Sequence, residues 1–199
     1  GELDNGWSVA IAIAATNRMA YSTTNVTVTV PSLGDFIVTQ GGTGKGIDRM
    51  DDVTPNVWEE AYGTGLTNGI QTVNGATTGA SIEWTPNMMP DGLTARIAYS
   101  PDVTGAPTAD KGASGSAVNS GSSGYDVTLV ADDSITGMAG LTIGGGYSEF
   151  ERTHVGQGDA SDTTVYATYA IGGFTVGYQW SEADLGTTTG AQQYDNDGY

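Results

Sequence analysis

Nine stretches of this chain alternate apolar with small or polar side chains at every second residue, and that period restricts the fold more than any other feature. The stretches are 7–14, 26–30, 36–40, 80–85, 93–100, 125–131, 141–148, 164–171 and 174–181. In the last of them Phe174, Val176, Tyr178 and Trp180 alternate with Thr175, Gly177, Gln179 and Ser181. A period of two sends successive side chains to opposite faces of a strand, whereas a helix needs recurrence every three or four residues. Enrichment in Val, Ile, Thr, Tyr and Trp agrees with strands. Only 36–40 leaves its facing open, because Phe36, Ile37 and Val38 are consecutive. The expectation is an all-β, antiparallel chain of about nine strands.

The residue inventory removes several function classes. There is no cysteine, so neither disulfides nor thiolate metal sites support the fold. A single histidine, His154, excludes His-cluster metal sites and has no Ser/Asp partner at a triad spacing. Six Lys and Arg against a net charge of −17 exclude a phosphate-neutralising nucleic-acid surface. No run approaches the ~18 apolar residues of a membrane helix. No signal-peptide pattern opens the chain, as expected of a mature secreted protein or a segment of a longer one.

The connections expected between these strands alternate long and short, the longest being 41–78 and 101–124. In a meander this gathers the long loops at one end and the tight turns at the other. A soluble sandwich has no reason to sort loops by end, but a membrane barrel does, with short turns on one rim and longer loops on the other. One face of each strand is Thr, Ser, Gly, Gln and charge. The other is aliphatic, with Trp84, Tyr99, Tyr147, Tyr169, Phe174, Tyr178 and Trp180 near strand ends, as interfacial girdles require. A transmembrane β-barrel wall, apolar toward lipid and polar toward water, is the expectation. Its decisive test is whether Ile82, Ile97, Leu129 and Val176 stay apart from any dry interior.

Three segments then carry a resemblance: 25–40 (with VTVTVPSLGDFIVTQ), DDVTPNVWEEAYGTG at 51–65, and ASIEWTPNMMPDGLTARIAYSPD at 80–102. They resemble the general diffusion porins of Gram-negative bacteria, of the alphaproteobacterial (Rhodobacter-like) type. The resemblance implies a 16-stranded barrel of which residues 1–199 are a partial, single-domain internal segment, from the family's third strand to its eleventh. Residues 192–199 then read as a loop. It also implies an outer-membrane location, a homotrimer, and passive diffusion of small hydrophilic solutes and ions with no enzymatic step. The loop 41–78 would fold into the lumen and narrow it.

That loop carries Asp48, Asp51, Asp52, Glu59 and Glu60, with Lys45 and Arg49 near its start. The resemblance implies carboxylates facing a basic cluster across the pore; the alternative is an acidic surface loop. A carboxylate surplus raises local cation concentration, so a mild cation preference is expected. Arg96, on the polar side of its strand, belongs either to the basic side of the constriction or to a wall pair with Glu83. Glu83 and Gln179 are expected on the lumen wall. Trp58 and Tyr62 are expected to pack the loop. No cofactor is expected, although the Asp/Gly stretches 156–162 and 195–198 offer oxygen ligands of the kind Ca²⁺ takes. The glycines of 41–46 lack phosphate-loop spacing, and Asn25-Val26-Thr27 fits a glycosylation sequon inside a strand. Two other readings, a Gly/Thr-rich surface or adhesion β-protein and a secreted β-sandwich hydrolase, require a fixed repeat or a polar outer face, and the sequence has neither pattern.

Overall fold

A computed structural model describes residues 1–15, 21–39, 45–50, 53, 80–101, 121–152, 158–184 and 193–198. They form ten strands: β1 (Ser8–Ala15), β2 (Tyr21–Val30), β3 (Gly34–Thr39), β4 (Ser81–Pro86), β5 (Leu93–Ser100), β6 (Gly121–Ala131), β7 (Leu141–Arg152), β8 (Ala160–Ile171), β9 (Phe174–Asp184) and β10 (Gln193–Gly198). All ten lie in one sheet whose spatial order is the sequence order. Each is antiparallel to the next, and β1 and β10 are its edges. The fold is all-β and antiparallel, with an open sheet among the described residues.

The tenth strand corrects the expectation of a loop at 192–199. Gln193–Gly198 pairs with β9 from Gln193↔Asp184 to Gly198↔Gln179. Its Asp-Asn-Asp-Gly sequence has no alternation to announce a strand, and the free backbone groups of β9 supply the template instead. At the other edge the first residues fold back on β1, with Glu2 bridged to Ser8 and Leu3 N donating to Trp7 O at 2.7 Å. Trp7 therefore lies just before β1, after the turn at Asp4 and Asn5, rather than in the strand expected to include it.

The four connections at one end of the sheet are 31–33, 87–92, 132–140 and 172–173. The opposite end takes 16–20, 40–80, 101–120, 153–159 and 185–192. The longest two do share an end, yet strict alternation fails, since the seven residues 153–159 are fewer than the nine of 132–140. The cause is that β7 and β8 continue as a ladder beyond their alternating apolar set. The tighter end is bound turn to turn. Asn87 Nδ2 donates to Pro31 O at 2.7 Å, Trp84 Nε1 to Leu33 O at 2.9 Å, and Asp132 N to Gly92 O at 2.9 Å. The connection 132–140 includes one helical turn, α1 (Asp133–Thr136), which Asp132 caps by accepting from Ser134 N at 2.8 Å.

Register sorts the side chains into two faces. Across six strands Ile11, Val26, Val38, Ile82, Tyr99 and Tyr125 stand in one row. On the reverse side Thr27, Ile37, Glu83, Ala98, Asp126, Ser148 and Asp162 stand in another. This settles the ambiguous strand: Phe36 and Val38 join the apolar row set, and Ile37 faces the polar side. Ile82, Ile97, Leu129 and Val176 are 42%, 45%, 48% and 59% exposed, while Ser100, Asp126, Thr128, Ser148 and Thr164 are buried. A water-soluble fold has the opposite arrangement. Among the described residues the buried apolar side chains are Val30, Ile47, Met50, Ala98 and Ala160, and the last two are alanines.

Gly34 opens β3 at φ +104°, where an added Cβ would lie 2.1 Å from Thr85 O. Gly34→Ala should lower stability by at least ~1 kcal/mol, read as a fall in the urea midpoint. Gly173→Ala, with nothing within 4 Å of its Cβ position, should change the midpoint by no more than about 0.5 kcal/mol.

Candidate functional site

A short 3₁₀ segment, Gly46–Met50, comes from the connection between β3 and β4 and lies on the polar face over β5, β6, β7 and β8. Carboxylates of the sheet hold its beginning. Gly46 N donates to Glu83 Oε2 at 2.7 Å and Ile47 N donates to Asp126 Oδ2 at 3.1 Å. Arg49 grips Glu83 at both oxygens, through Nη2 to Oε1 at 2.6 Å and Nε to Oε2 at 3.3 Å. At the far end Gln179 Nε2 donates to Met50 O. The segment thus runs as a belt from β4 and β6 across to β9. Glu83 and Asp126 are 1% and 0% exposed, so each carboxylate depends on these donors to offset its desolvation.

Glycines make the close approach possible. Gly46 takes φ +54°, and an added Cβ there would sit 1.9 Å from Asp126 Oδ2. On β7, a Cβ at Gly146 would lie 2.9 Å from Ile47 Cγ1, and one at Gly144 would lie 2.3 Å from the Tyr166 ring. The Gly144–Gly146 run is a shallow bed in which Ile47 and Tyr166 rest. Gln179 is oriented by Thr164 and Ser181, whose hydroxyls it reaches at 3.3 Å each and which bond one another at 2.8 Å.

The surrounding charges are mixed. Lys45, Arg49 and Arg96 are half of the chain's six basic residues, and they meet Asp48, Glu83 and Asp126 on this face. Burial pushes the Lys45 amine below its ordinary value, and the nearby Arg49 cation pushes the same way against the pull of Glu83 and Asp48.

Of the acids expected to line a constriction, Asp48 is in the belt but buried. Asp51, Asp52, Glu59 and Glu60 lie outside the described residues, as do Trp58, Tyr62 and His154. Glu83 and Gln179 are on the expected face, but as buried holders of the belt rather than as water-exposed wall. The alternative pairing of Arg96 with Glu83 is corrected: Glu83 takes Arg49, because the belt brings that guanidinium directly onto it. Arg96 is half-buried on the polar face, opposite Thr128. Asp126 was not singled out by sequence reasoning. Its alternation with Tyr125 and Val127 gave its face, but no spacing links it to Ile47, 79 positions away. In the stretches considered for Ca²⁺, Asp162 is built into β8 opposite Ser148, and 195–198 belong to β10. No grouping of three potential His, Asp or Glu metal ligands occurs among the described residues.

Against known proteins, no family model and no curated sequence matches this chain. The arrangement itself is one for binding and positioning: a peptide segment is fixed across a polar surface by two carboxylates and one amide.

Glu83→Ala removes three of the belt's bonds and leaves Arg49 without its partner, at a cost of about 3–5 kcal/mol to docking. Trypsin should then cut after Lys45 and Arg49 at least ~10-fold faster than in the parent, with the sheet's circular dichroism unchanged. The lowered Lys45 value means that the unfolded chain binds more protons between that value and 10.5. Stability should therefore rise with pH through this window, and Lys45→Met should flatten the rise in urea midpoint.

Proposed function

We propose that this chain is part of the wall and constriction loop of a passive diffusion channel in the outer membrane of a Gram-negative cell. The single observation that carries the reading is the inverted burial: a continuous apolar face is exposed while carboxylates and hydroxyls on the other face are buried under a loop segment. Contiguous exposed apolar surface of this extent is costly in water and favourable in hydrocarbon.

The chemistry of the apolar face supports this reading. Aliphatic residues Ile97, Val127, Leu129, Ile143 and Val165 are all exposed on it. Toward the longer connections stand Tyr125 and Tyr147, with ring centroids 6.3 Å apart, whose hydroxyls donate to Glu149 at 3.3 and 2.7 Å. Toward the tight turns Phe36 stacks on Trp84 at 6.0 Å, and the indole N–H is satisfied by a turn carbonyl. Aromatic bodies with polar tips suit the headgroup level of a bilayer. Among the described residues β10 and most of β1, beyond the pairing of residues 1–3 with its start, present open edges, and further pairing is needed to close the wall in lipid, where open backbone groups cost several kcal/mol each. A trimer of such barrels is the assembly this reading carries.

Transport needs no covalent chemistry. Small hydrophilic solutes and ions pass down their gradients along the polar face, and the docked belt narrows the passage. The −17 charge favours cations at long range and low salt. A Gly/Thr-rich adhesion protein working in water would not leave this apolar band uncovered.

The full-length protein should require detergent to remain monodisperse and should give stepwise, ohmic conductance in planar bilayers. In a salt gradient its reversal potential should take the sign of cation preference. Val165→Arg, at the middle of β8 on the apolar face, should destabilise the bilayer-inserted fold by about 2–4 kcal/mol. A protein that is monodisperse without detergent and silent in bilayers would overturn the reading.

A further inference from the structure

Gly144 and Gly146 of β7 both face the polar side, and the space beside each is filled from a different source. At Gly144 it is filled from within the sheet, by the Tyr166 ring of the adjacent strand β8. At Gly146 it is filled from the belt: a Cβ there would lie 2.9 Å from Ile47 Cγ1 and 3.4 Å from Ile47 Cδ1. The lateral neighbours of Gly146 are Thr128 on β6 and Thr164 on β8, both buried. Gly146 is therefore the floor of a pit one residue wide, with a threonine on either side. Ile47, which occupies it, is 0% exposed. Glycine inside a strand weakens that strand, and its use there is to admit another part of the chain at close range.

Two forces of different steepness act on the belt. Glu83 and Asp126 draw its beginning toward the sheet through bonds from Gly46 N and Ile47 N. Their carboxylates end flexible side chains, which can follow the belt over a fraction of an ångström with those bonds kept. The contact of Ile47 with the pit floor does not yield in this way, because repulsion rises sharply once carbon atoms approach within about 3.5 Å. Ile47 is branched at Cβ and stiff at χ1, and its complete burial leaves it no room to swing aside. The carboxylates decide where along the sheet the belt lies and pull it down. The side chain decides how far it comes.

We propose that Ile47 and Gly146 are a positioning pair that sets the calibre of the passage: the depth to which Ile47 enters the pit fixes how far the belt stands off the sheet, and with it the largest solute that passes. The inference rests on the reading of this face as the water-filled side of a channel, and it adds what determines the size limit. The charged groups govern whether the belt is docked, and one van der Waals contact governs its height.

Gly146→Ala raises the pit floor by a methyl group. The full-length protein should then show single-channel conductance in planar bilayers lower by at least about a tenth, and should exclude polyethylene glycols from a smaller size upward. Trypsin should cut after Lys45 and Arg49 about 5-fold faster or more, as overpacking loosens the docked segment. In an Ile47→Ala background the same Gly146→Ala change should have no effect on either readout, because the opposing atoms are gone and Thr128 Cγ2, at 3.1 Å, has only slightly to yield. Gly144→Ala meets the Tyr166 ring instead, so its effect should be equal with and without Ile47→Ala. Unchanged conductance in Gly146→Ala overturns the proposal. So does an effect of Gly146→Ala that persists in the Ile47→Ala background, which would report a weakened strand. Should Gly146→Ala fail to fold, Ile47→Phe adds bulk from the belt's side without altering the strand: lower conductance supports the proposal and unchanged conductance overturns it. A protein that conducts normally in every variant removes this inference alone. Coupling of Gly146 to Ile47 in tryptic cutting, in a protein that never conducts, removes the channel reading and the calibre role with it.

Discussion

Strand register is the constraint on which everything else depends. A one-residue slip in any ladder would transfer that strand's whole apolar set to the other face. The ten strands hold their register in such a way that Val38, Ile82, Tyr99 and Tyr125 align on one side while Glu83, Ala98, Asp126 and Ser148 align on the other. Because the strands are consecutive neighbours, each register is fixed locally by its turn and passed to the next strand. Hydrogen bonds between successive tight turns reinforce this at one margin. The sheet therefore behaves as a two-faced surface, and the fate of each face follows from its chemistry.

The polar face is held by hydrogen bonding rather than by apolar packing. Ile47 and Met50 are the only large apolar side chains buried among the described residues beyond Val30, and they belong to the segment laid on top. Beneath them Thr164, Ser181 and Gln179 form a connected network, while Ser81, Thr128 and Ser148 have buried hydroxyl oxygens without partners. Such a layer gains little from the hydrophobic effect, so its order relies on the carboxylates that receive the belt's backbone N–H groups. The belt is positioned by directional, charge-assisted bonds.

Glycine supplies the remaining freedom where bulk would interfere. The Gly144–Gly146 run on β7 admits Ile47 over Gly146 and the Tyr166 ring over Gly144 on the same face, and Gly46 lets the chain turn against Asp126. The same residue type that thins the sheet weakens it as a strand, since it loses more backbone entropy on folding. Pairing of β7 on both edges, over nearly its full length with β8, offsets that weakness.

Alternation alone established the strand class, the faces of eight of the nine expected strands, and the facing of Arg96, Glu83 and Gln179, while the facing of Phe36, Ile37 and Val38 waited for register. The former are properties of a period-two backbone and require no knowledge of neighbours. Three further things were decided only in three dimensions. Gln193–Gly198 became a strand because the edge of β9 was available, although its own sequence reads as turn. Glu83 found Arg49 rather than Arg96 because the connection after β3 folds back over the sheet. Asp126 became a belt anchor through contact with a residue 79 positions away. A strand's faces are written in its local sequence, but which loop lies on a face depends on chain closure over long separations, and local side-chain periodicity carries no record of that.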